Sequence, residues 1–206
     1  MDESGRHSEN EIRHIIHEAH RGRLRTCHHD AFRRWEDLPA GLRKDLSARS
    51  RANVIHDFAA ARAAELFDGL PGVAVVDRRE VGGYFSFVFD DVIVARLKKF
   101  RDDSFGTCGI ATQEQQRFAL QEPPLTGMRT STNLVVGYLL DEFETSISRM
   151  AIACSMGDEL LWAIDITEDD AEHGDPSPSV QPPPPSGPTI RSTSEEKRDV
   201  GEGKTD

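Results

Sequence analysis

The chain has 206 residues, of which 25 are Lys or Arg and 36 are Asp or Glu, giving a formal net charge of −11. This length predicts one domain with or without appended segments, and the acidic balance disfavours a strongly basic nucleic-acid-binding protein. The longest uninterrupted apolar stretch, residues 134–140, is much shorter than the roughly 20 residues of a membrane-spanning helix, so we expect no membrane segment.

The N-terminal part of the chain predicts two helices. Ser8 followed by Glu11 forms a capping-box pattern, and apolar residues then recur at helical spacing as far as Pro39. If the first helix is interrupted, Gly22 is the residue at which we expect the interruption. A second helix is predicted over residues 49–67.

From residue 73 the apolar period changes from about 3.6 to 2, which predicts strands. The predicted strands are residues 73–77, 84–89, 92–99, 133–141, 146–155 and 160–166. Phe85, Phe87 and Phe89 share one face of the second strand and are predicted core residues. A short helix is predicted over 113–121. The sequence therefore predicts an α+β fold: two N-terminal helices, then a largely antiparallel sheet of about six strands interrupted by one short helix.

Composition divides the chain into three predicted parts. Residues 8–48 form an N-terminal helical region, residues 49–166 form the α+β domain, and residues 167–206 form a tail. This last part is acidic and proline-rich and has almost no large apolar residue. Because it cannot bury enough surface to offset chain entropy, we expect a disordered C-terminal tail.

Three histidines near the N-terminus are a candidate metal site. His14, His17 and His20 fan across about 120° of one helix surface, and neutral imidazoles placed in this way are able to bind zinc. The sequence around them does not match the zinc-protease pattern, and three arginines follow directly. A solvated histidine-rich face is therefore the preferred interpretation, with a metal site as the weaker alternative.

The hairpin predicted over residues 84–99 contains a second candidate site. Restriction-type nucleases hold magnesium with an aspartate near one strand end and a lysine in the next strand, places that Asp90, Asp91 and Lys98 occupy approximately. That chemistry also needs an acidic residue two positions before the lysine. Arg96 stands there instead. A metal-dependent nuclease-like enzyme, intact or degenerate, is therefore the alternative interpretation.

Other kinds of site are disfavoured by residue spacing. No phosphate-binding glycine motif and no strand–Ser–helix nucleophile pattern occurs. Basic residues cluster between positions 21 and 51, but acidic residues are interleaved with them. Contact with nucleic acid is therefore an alternative that is not favoured, and no cofactor is expected.

Several short strings carry a resemblance. They are Arg49 to Arg51, His56-Asp57, Lys98-Lys99, Thr112-Gln113 and residues 137–141. On these strings, the stretch from residue 50 to residue 166 resembles a group of uncharacterised small proteins from high-GC, actinobacteria-like bacteria. The resemblance implies a setting among regulator and mobile-element genes, and it implies no activity and no site residues.

Composition and the first residues bear on the compartment. Cys27, Cys108 and Cys154 form an odd, widely spaced set, as expected in a reducing cytoplasm, and residues 1–10 lack the apolar stretch of a secretory signal. The sequence therefore predicts a cytoplasmic bacterial protein. Because each candidate catalytic set lacks a required member, we expect a non-enzymatic interaction or regulatory protein with an unknown protein partner.

Overall fold

Most of the helices precede the strands along this chain, whose computed structural model describes residues 5–108, 112–122 and 131–168. Within these residues the α-helices are α1 (Glu9–Ile15), α2 (Glu18–Glu36), α3 (Ala40–Asp45), α4 (Ala48–Phe67) and α5 (Gln113–Ala119). The strands are β1 (Val73–Asp77), β2 (Phe85–Phe89), β3 (Ile93–Lys99), β4 (Thr132–Leu140), β5 (Ile147–Met156) and β6 (Glu159–Asp165). The predicted α+β class is confirmed, and each strand begins and ends at the predicted residue or next to it.

The first helical region is divided at a point that the sequence does not predict. Ser8 caps α1 through the predicted capping box, in which the Ser8 N–H donates to Glu11 Oε2 at 2.8 Å. The helix ends before Ile16, whereas Gly22 lies inside α2. Arg21 stabilises the break, because its Nη1 donates to the carbonyl of the fully buried Ile16 at 3.0 Å. Within the described residues, four helices rather than the predicted two therefore precede the first strand.

The described strands form one sheet in the order β1-β2-β3-β4-β5-β6. Neighbouring strands are antiparallel except β3 and β4, which pair in parallel. A parallel pair requires a crossover connection. The chain between Lys99 and Thr132, which includes α5, makes this crossover. The prediction of a largely antiparallel sheet is confirmed, and the parallel pair is a feature that strand periodicity does not predict.

One face of the sheet is closed by helices and forms the main core. Phe85, Phe87 and Phe89 project from β2 into this core and are each at most 1% exposed, as predicted. Phe67 of α4 contacts Phe87, with ring centroids 4.9 Å apart. Ile12 of α1 belongs to the same core. Each buried side chain of this size contributes about 1.5–3 kcal/mol to folding.

The opposite face of the sheet, here called the outer face, carries two smaller packing units. The first is a cluster after β3, in which Phe100 and Phe105 pack with Leu139. The second is α5, which is fixed by Gln121: the Gln121 side-chain amide donates to the carbonyl of Asn133 at 2.8 Å. On β1, β2 and β3 the side chains of the outer face are those of Ala74, Val76, Ser86, Val88, Val94, Arg96 and Lys98.

Three sequence predictions concern the limits of the folded part. The predicted boundary between residues 48 and 49 falls at the start of α4, whose N-cap is Ser47. The predicted tail, residues 167–206, lies outside the described residues apart from Thr167 and Glu168. None of the described helices has the length and apolar character needed to cross a membrane.

Candidate functional site

The structure places the residues of the predicted nuclease-like site at opposite ends of one hairpin. Asp90 and Asp91 form the turn between β2 and β3, and both have positive φ angles, 48° and 56°. Such angles are those of the two central residues of a type I′ turn, which accept aspartate, and the Val92 N–H closes the turn by donating to the Phe89 carbonyl at 3.0 Å. Lys98 lies on β3 seven residues beyond Asp91, about 23 Å away in an extended strand. The three side chains therefore do not form one site.

The three N-terminal histidines are separated by the break between α1 and α2. His14 lies on α1 and is exposed, whereas His17 caps α2 and His20 is buried in it. The rings of His17 and His20 stack with centroids 3.8 Å apart, and burial lowers the pKa of His20. Within the described residues, no group of three His, Cys, Asp or Glu side chains is arranged to hold a metal ion.

A buried arginine on the outer face is the centre of a different site. The side chain of Arg96 is 9% exposed and lies between two aromatic rings. Its guanidinium carbon is 4.0 Å from the ring centroid of Tyr84 and 4.1 Å from that of Phe118. Nη2 donates to Glu114 Oε1 at 2.7 Å. Nε and Nη1 are buried and have no hydrogen-bond partner in the described residues.

Regular strand and helix spacing brings this site together. Arg96 and Lys98 are two residues apart on β3, so both project from the outer face. Glu114 and Phe118 are four residues apart on α5, so they share one face of that helix. We call the group formed by Tyr84, Arg96, Lys98, Thr112, Glu114 and Phe118 the Arg96 cluster.

Hydroxyl groups tie α5 to the sheet at this cluster. Thr112 caps α5 by accepting a hydrogen bond from the Gln115 N–H at 3.1 Å. The same Thr112 hydroxyl shares a hydrogen bond of 3.0 Å with the hydroxyl of Tyr84. The aromatic ring against which Arg96 packs is therefore held to the N-terminal end of α5.

The charges of the Arg96 cluster do not balance. Lys98 Nζ lies 5.4 Å from the ring centroid of Tyr84 and has no ion-pair partner among the described residues. Burial, followed by the charge of Arg96, lowers the pKa of Lys98, and burial also lowers the pKa of Arg96. The cluster therefore holds two cations, Arg96 and Lys98, and one carboxylate, that of Glu114, which pairs with Arg96. An excess of partly buried positive charge with unused N–H donors is suited to binding an anion.

A second polar pair lies inside the main core. His28 of α2 and Tyr138 of β4 are 1% and 2% exposed, with ring centroids 5.3 Å apart. Both ring nitrogens of His28 and the hydroxyl of Tyr138 lack a hydrogen-bond partner in the described residues. Burial lowers the pKa of His28 to about 3 and raises that of Tyr138. This pair is enclosed by helices, so its consequence is for stability and not for binding.

The sequence contains a signal for the Arg96 cluster that motif analysis does not use. Arg96 and Lys98 alternate with Ala95 and Leu97, which are both fully or almost fully buried. Two half-buried or buried cations on one face of β3, whose other residues are apolar except for Lys99 at its end, are unusual, because a charge is costly to bury without a partner. The nuclease comparison treats Arg96 only as the absence of an acidic residue, and for that reason it does not identify Arg96 as a candidate binding residue.

Comparison with protein-family models, curated proteins and solved structures gives no significant match for this chain. The function therefore has to be inferred from the chemistry of its own side chains.

Proposed function

We propose that this chain is a non-enzymatic interaction or regulatory protein that binds an acidic partner protein at the Arg96 cluster. The observation that carries the proposal is the buried guanidinium of Arg96, in which Nε and Nη1 have no hydrogen-bond partner in the described residues. An unsatisfied buried donor costs about 1–3 kcal/mol. Because both nitrogens are buried, a partner has to displace side chains that cover Arg96 before its acceptors can remove that cost.

The surroundings of Arg96 favour a protein as the bound partner. Val88 and Val94 pair across β2 and β3 and are half-buried beside the cluster on the outer face. Arginine and aromatic side chains next to apolar surface are typical of the residues that dominate protein–protein binding energies. The opposite face of the sheet is filled by α4 and its neighbours, so binding is expected on the part of the outer face that α5 leaves open among the described residues.

Charge gives the interaction its selectivity. Arg96 and Lys98 are partly removed from water, so an opposite charge placed beside them interacts more strongly than on an open surface. A basic partner is repelled for the same reason. We therefore expect the partner to place an acidic group over Arg96.

We place the protein in the cytoplasm. Cys27, Cys108 and Cys154 form no disulfide, which agrees with a reducing compartment. The regulatory part of the proposal agrees with the gene setting that the resemblance of residues 50–166 implies, although that resemblance implies no activity.

Affinity capture of the full chain tests this proposal. Wild type is compared with Arg96→Gln and with Arg33→Gln, which removes the same charge from the exposed surface of α2, where the side chain is 72% exposed. We expect wild type and Arg33→Gln to capture the same stoichiometric partner and Arg96→Gln to lose it. The partner, once purified, is expected to bind more weakly as salt is raised. Equal capture by all three proteins, or capture by none, contradicts the proposal.

A further inference from the structure

The contact between Arg96 and Glu114 leaves most of the guanidinium unused. Arginine has five N–H donors, arranged so that a carboxylate or phosphate accepts from two nitrogens at once. Glu114 accepts from Nη2, at 2.7 Å, while Nε and Nη1 have no hydrogen-bond partner in the described residues. An oxyanion that accepts from two nitrogens therefore fits Arg96 better than Glu114 does.

The carboxylate of Glu114 is able to leave this contact without disturbing the fold. The Glu114 side chain is 60% exposed, so rotation into solvent requires no repacking. Helix α5 stays in place through other residues: Phe118 is 8% exposed against the sheet, and Gln121 is hydrogen-bonded to Asn133. With Glu114 turned away, Arg96 and Lys98 present two positive charges.

The charge and shape of the emptied cluster match a phosphoryl group. A phosphate monoester carries about −1.5 to −2 charges at pH 7 and three strong acceptor oxygens. Arg96 and Lys98 lie beside the same Tyr84 ring, at 4.0 Å and 5.4 Å from its centroid, and the charge of Arg96 acts on Lys98. A carboxylate carries half the charge and has one acceptor oxygen fewer. The dianion is therefore the better match to two cations.

We infer that the Arg96 cluster binds a phosphate monoester dianion, which displaces Glu114 and accepts hydrogen bonds from Arg96 and Lys98. This inference rests on the proposed function, and it assigns the phosphoryl group to a phosphorylated side chain of the partner protein. The half-buried Val88 and Val94 favour this carrier over a free phosphate ion, because they offer apolar contacts to the residues that flank a phosphorylated side chain.

A titration of the full chain with three probes tests the inference. The probes are a blocked Val-phosphoserine-Val tripeptide, the same tripeptide with aspartate in place of phosphoserine, and inorganic phosphate. Binding is followed through the NMR resonance of the Arg96 Nε–H, which has no partner in the free protein within the described residues. We expect this resonance to shift, and we expect the phosphoserine tripeptide to bind at least about tenfold more tightly than the aspartate tripeptide.

Two substitutions are expected to change the affinity in opposite directions. Glu114→Gln removes the competing carboxylate and should tighten binding of the phosphoserine tripeptide, by roughly threefold to tenfold. Arg96→Lys keeps the charge and loses the planar fork, so it should weaken binding by at least about tenfold. The matched control Arg33→Gln should leave the affinity unchanged. Because Glu114 is exposed, tighter binding by Glu114→Gln has no explanation in misfolding.

The outcomes separate this inference from the proposed function. If the tripeptides and phosphate do not shift the Arg96 resonance, while Arg96→Gln still loses the captured partner, the phosphoryl inference is wrong and the interaction proposal stands. If inorganic phosphate binds as tightly as the phosphoserine tripeptide, the assignment to a partner side chain is wrong. Unchanged or weaker binding by Glu114→Gln contradicts displacement of Glu114.

Discussion

The pH dependence of stability should depend strongly on one buried histidine. His28 is 1% exposed, and neither of its ring nitrogens has a hydrogen-bond partner in the described residues. Burial is the main reason that the pKa of His28 falls to about 3, and the nearby His56 and His29 act in the same direction. A neutral imidazole is therefore expected in the folded protein at every pH above this value.

The sign of the effect follows from proton binding in the two states. An unfolded histidine titrates near pH 6.5, whereas folded His28 titrates near pH 3. Between these values the unfolded chain holds a proton that the folded chain does not, so stability falls as pH falls. Each pH unit within this window costs about 1.4 kcal/mol, and a change from pH 6.5 to 4.5 therefore costs about 2–3 kcal/mol. This is a large fraction of the 5–15 kcal/mol that typically stabilises a domain, in round figures.

Urea unfolding of the wild type and of His28→Leu measures this contribution. Carboxylates with a lowered pKa, such as Asp141 and Glu144, also destabilise the protein at low pH, so only the difference between the two proteins is informative. Leucine cannot take up a proton, so from pH 7 to 4.5 the variant should lose about 2–3 kcal/mol less than the wild type. Any difference in unfolding free energy between the two proteins that does not change with pH is due to repacking around the leucine.

The control for this test is the substitution of an exposed histidine. His14→Gln removes an exposed histidine of α1 and should follow the wild-type curve at every pH. If wild type and His28→Leu lose stability in parallel between pH 7 and 4.5, the folded protein accommodates a protonated His28. The deduction of an unpartnered, neutral ring would then be refuted.

Three further substitutions test the fold. Phe87→Ala should cost about 3–5 kcal/mol in urea unfolding, and a loss below about 1 kcal/mol contradicts the core face. Gly137→Ala should prevent the close approach of β3 and β4, because a Cβ there lies 2.7 Å from the Lys98 carbonyl oxygen. Gly41→Ala, which has open space around it within α3, should not destabilise and should gain up to about 1 kcal/mol from helix propensity. Asp91→Gly should stabilise the β2–β3 turn by about 0.5–1 kcal/mol, since glycine accepts its positive φ without strain; destabilisation contradicts the type I′ geometry.

Sequence periodicity predicts this sheet well because its strands are bounded by clear signals. The Phe85–Phe89 alternation identifies both the strand and its buried face, and each side chain on that face is at most 1% exposed. The parallel pairing of β3 and β4 could not be predicted in the same way. The residues of these two strands do not specify their relative direction, because that direction depends on the connection between Lys99 and Thr132.

The break between α1 and α2 is hidden for a similar reason. Apolar residues continue across it, and the N–H donor that satisfies the Ile16 carbonyl comes from the side chain of Arg21, five residues further along the chain. The spacing of apolar residues does not predict a hydrogen bond from an arginine side chain to a backbone carbonyl, so it does not predict this helix break. Gly22, the residue with the lowest helix propensity in this stretch, is accepted within α2 because that helix is held by its packing against α4.

Two buried polar groups of this fold both contain unsatisfied atoms, but they differ in whether a neighbouring side chain is exposed to solvent. The Arg96 cluster and the His28–Tyr138 pair both contain buried atoms with unused hydrogen-bonding capacity in the described residues. His28 and Tyr138 are at most 2% exposed, so a ligand cannot reach them without opening the core. Arg96 is instead ion-paired with Glu114, whose side chain is 60% exposed. We therefore expect the unsatisfied group with an exposed neighbour to bind an anion, and the enclosed group to make the stability of the fold sensitive to pH.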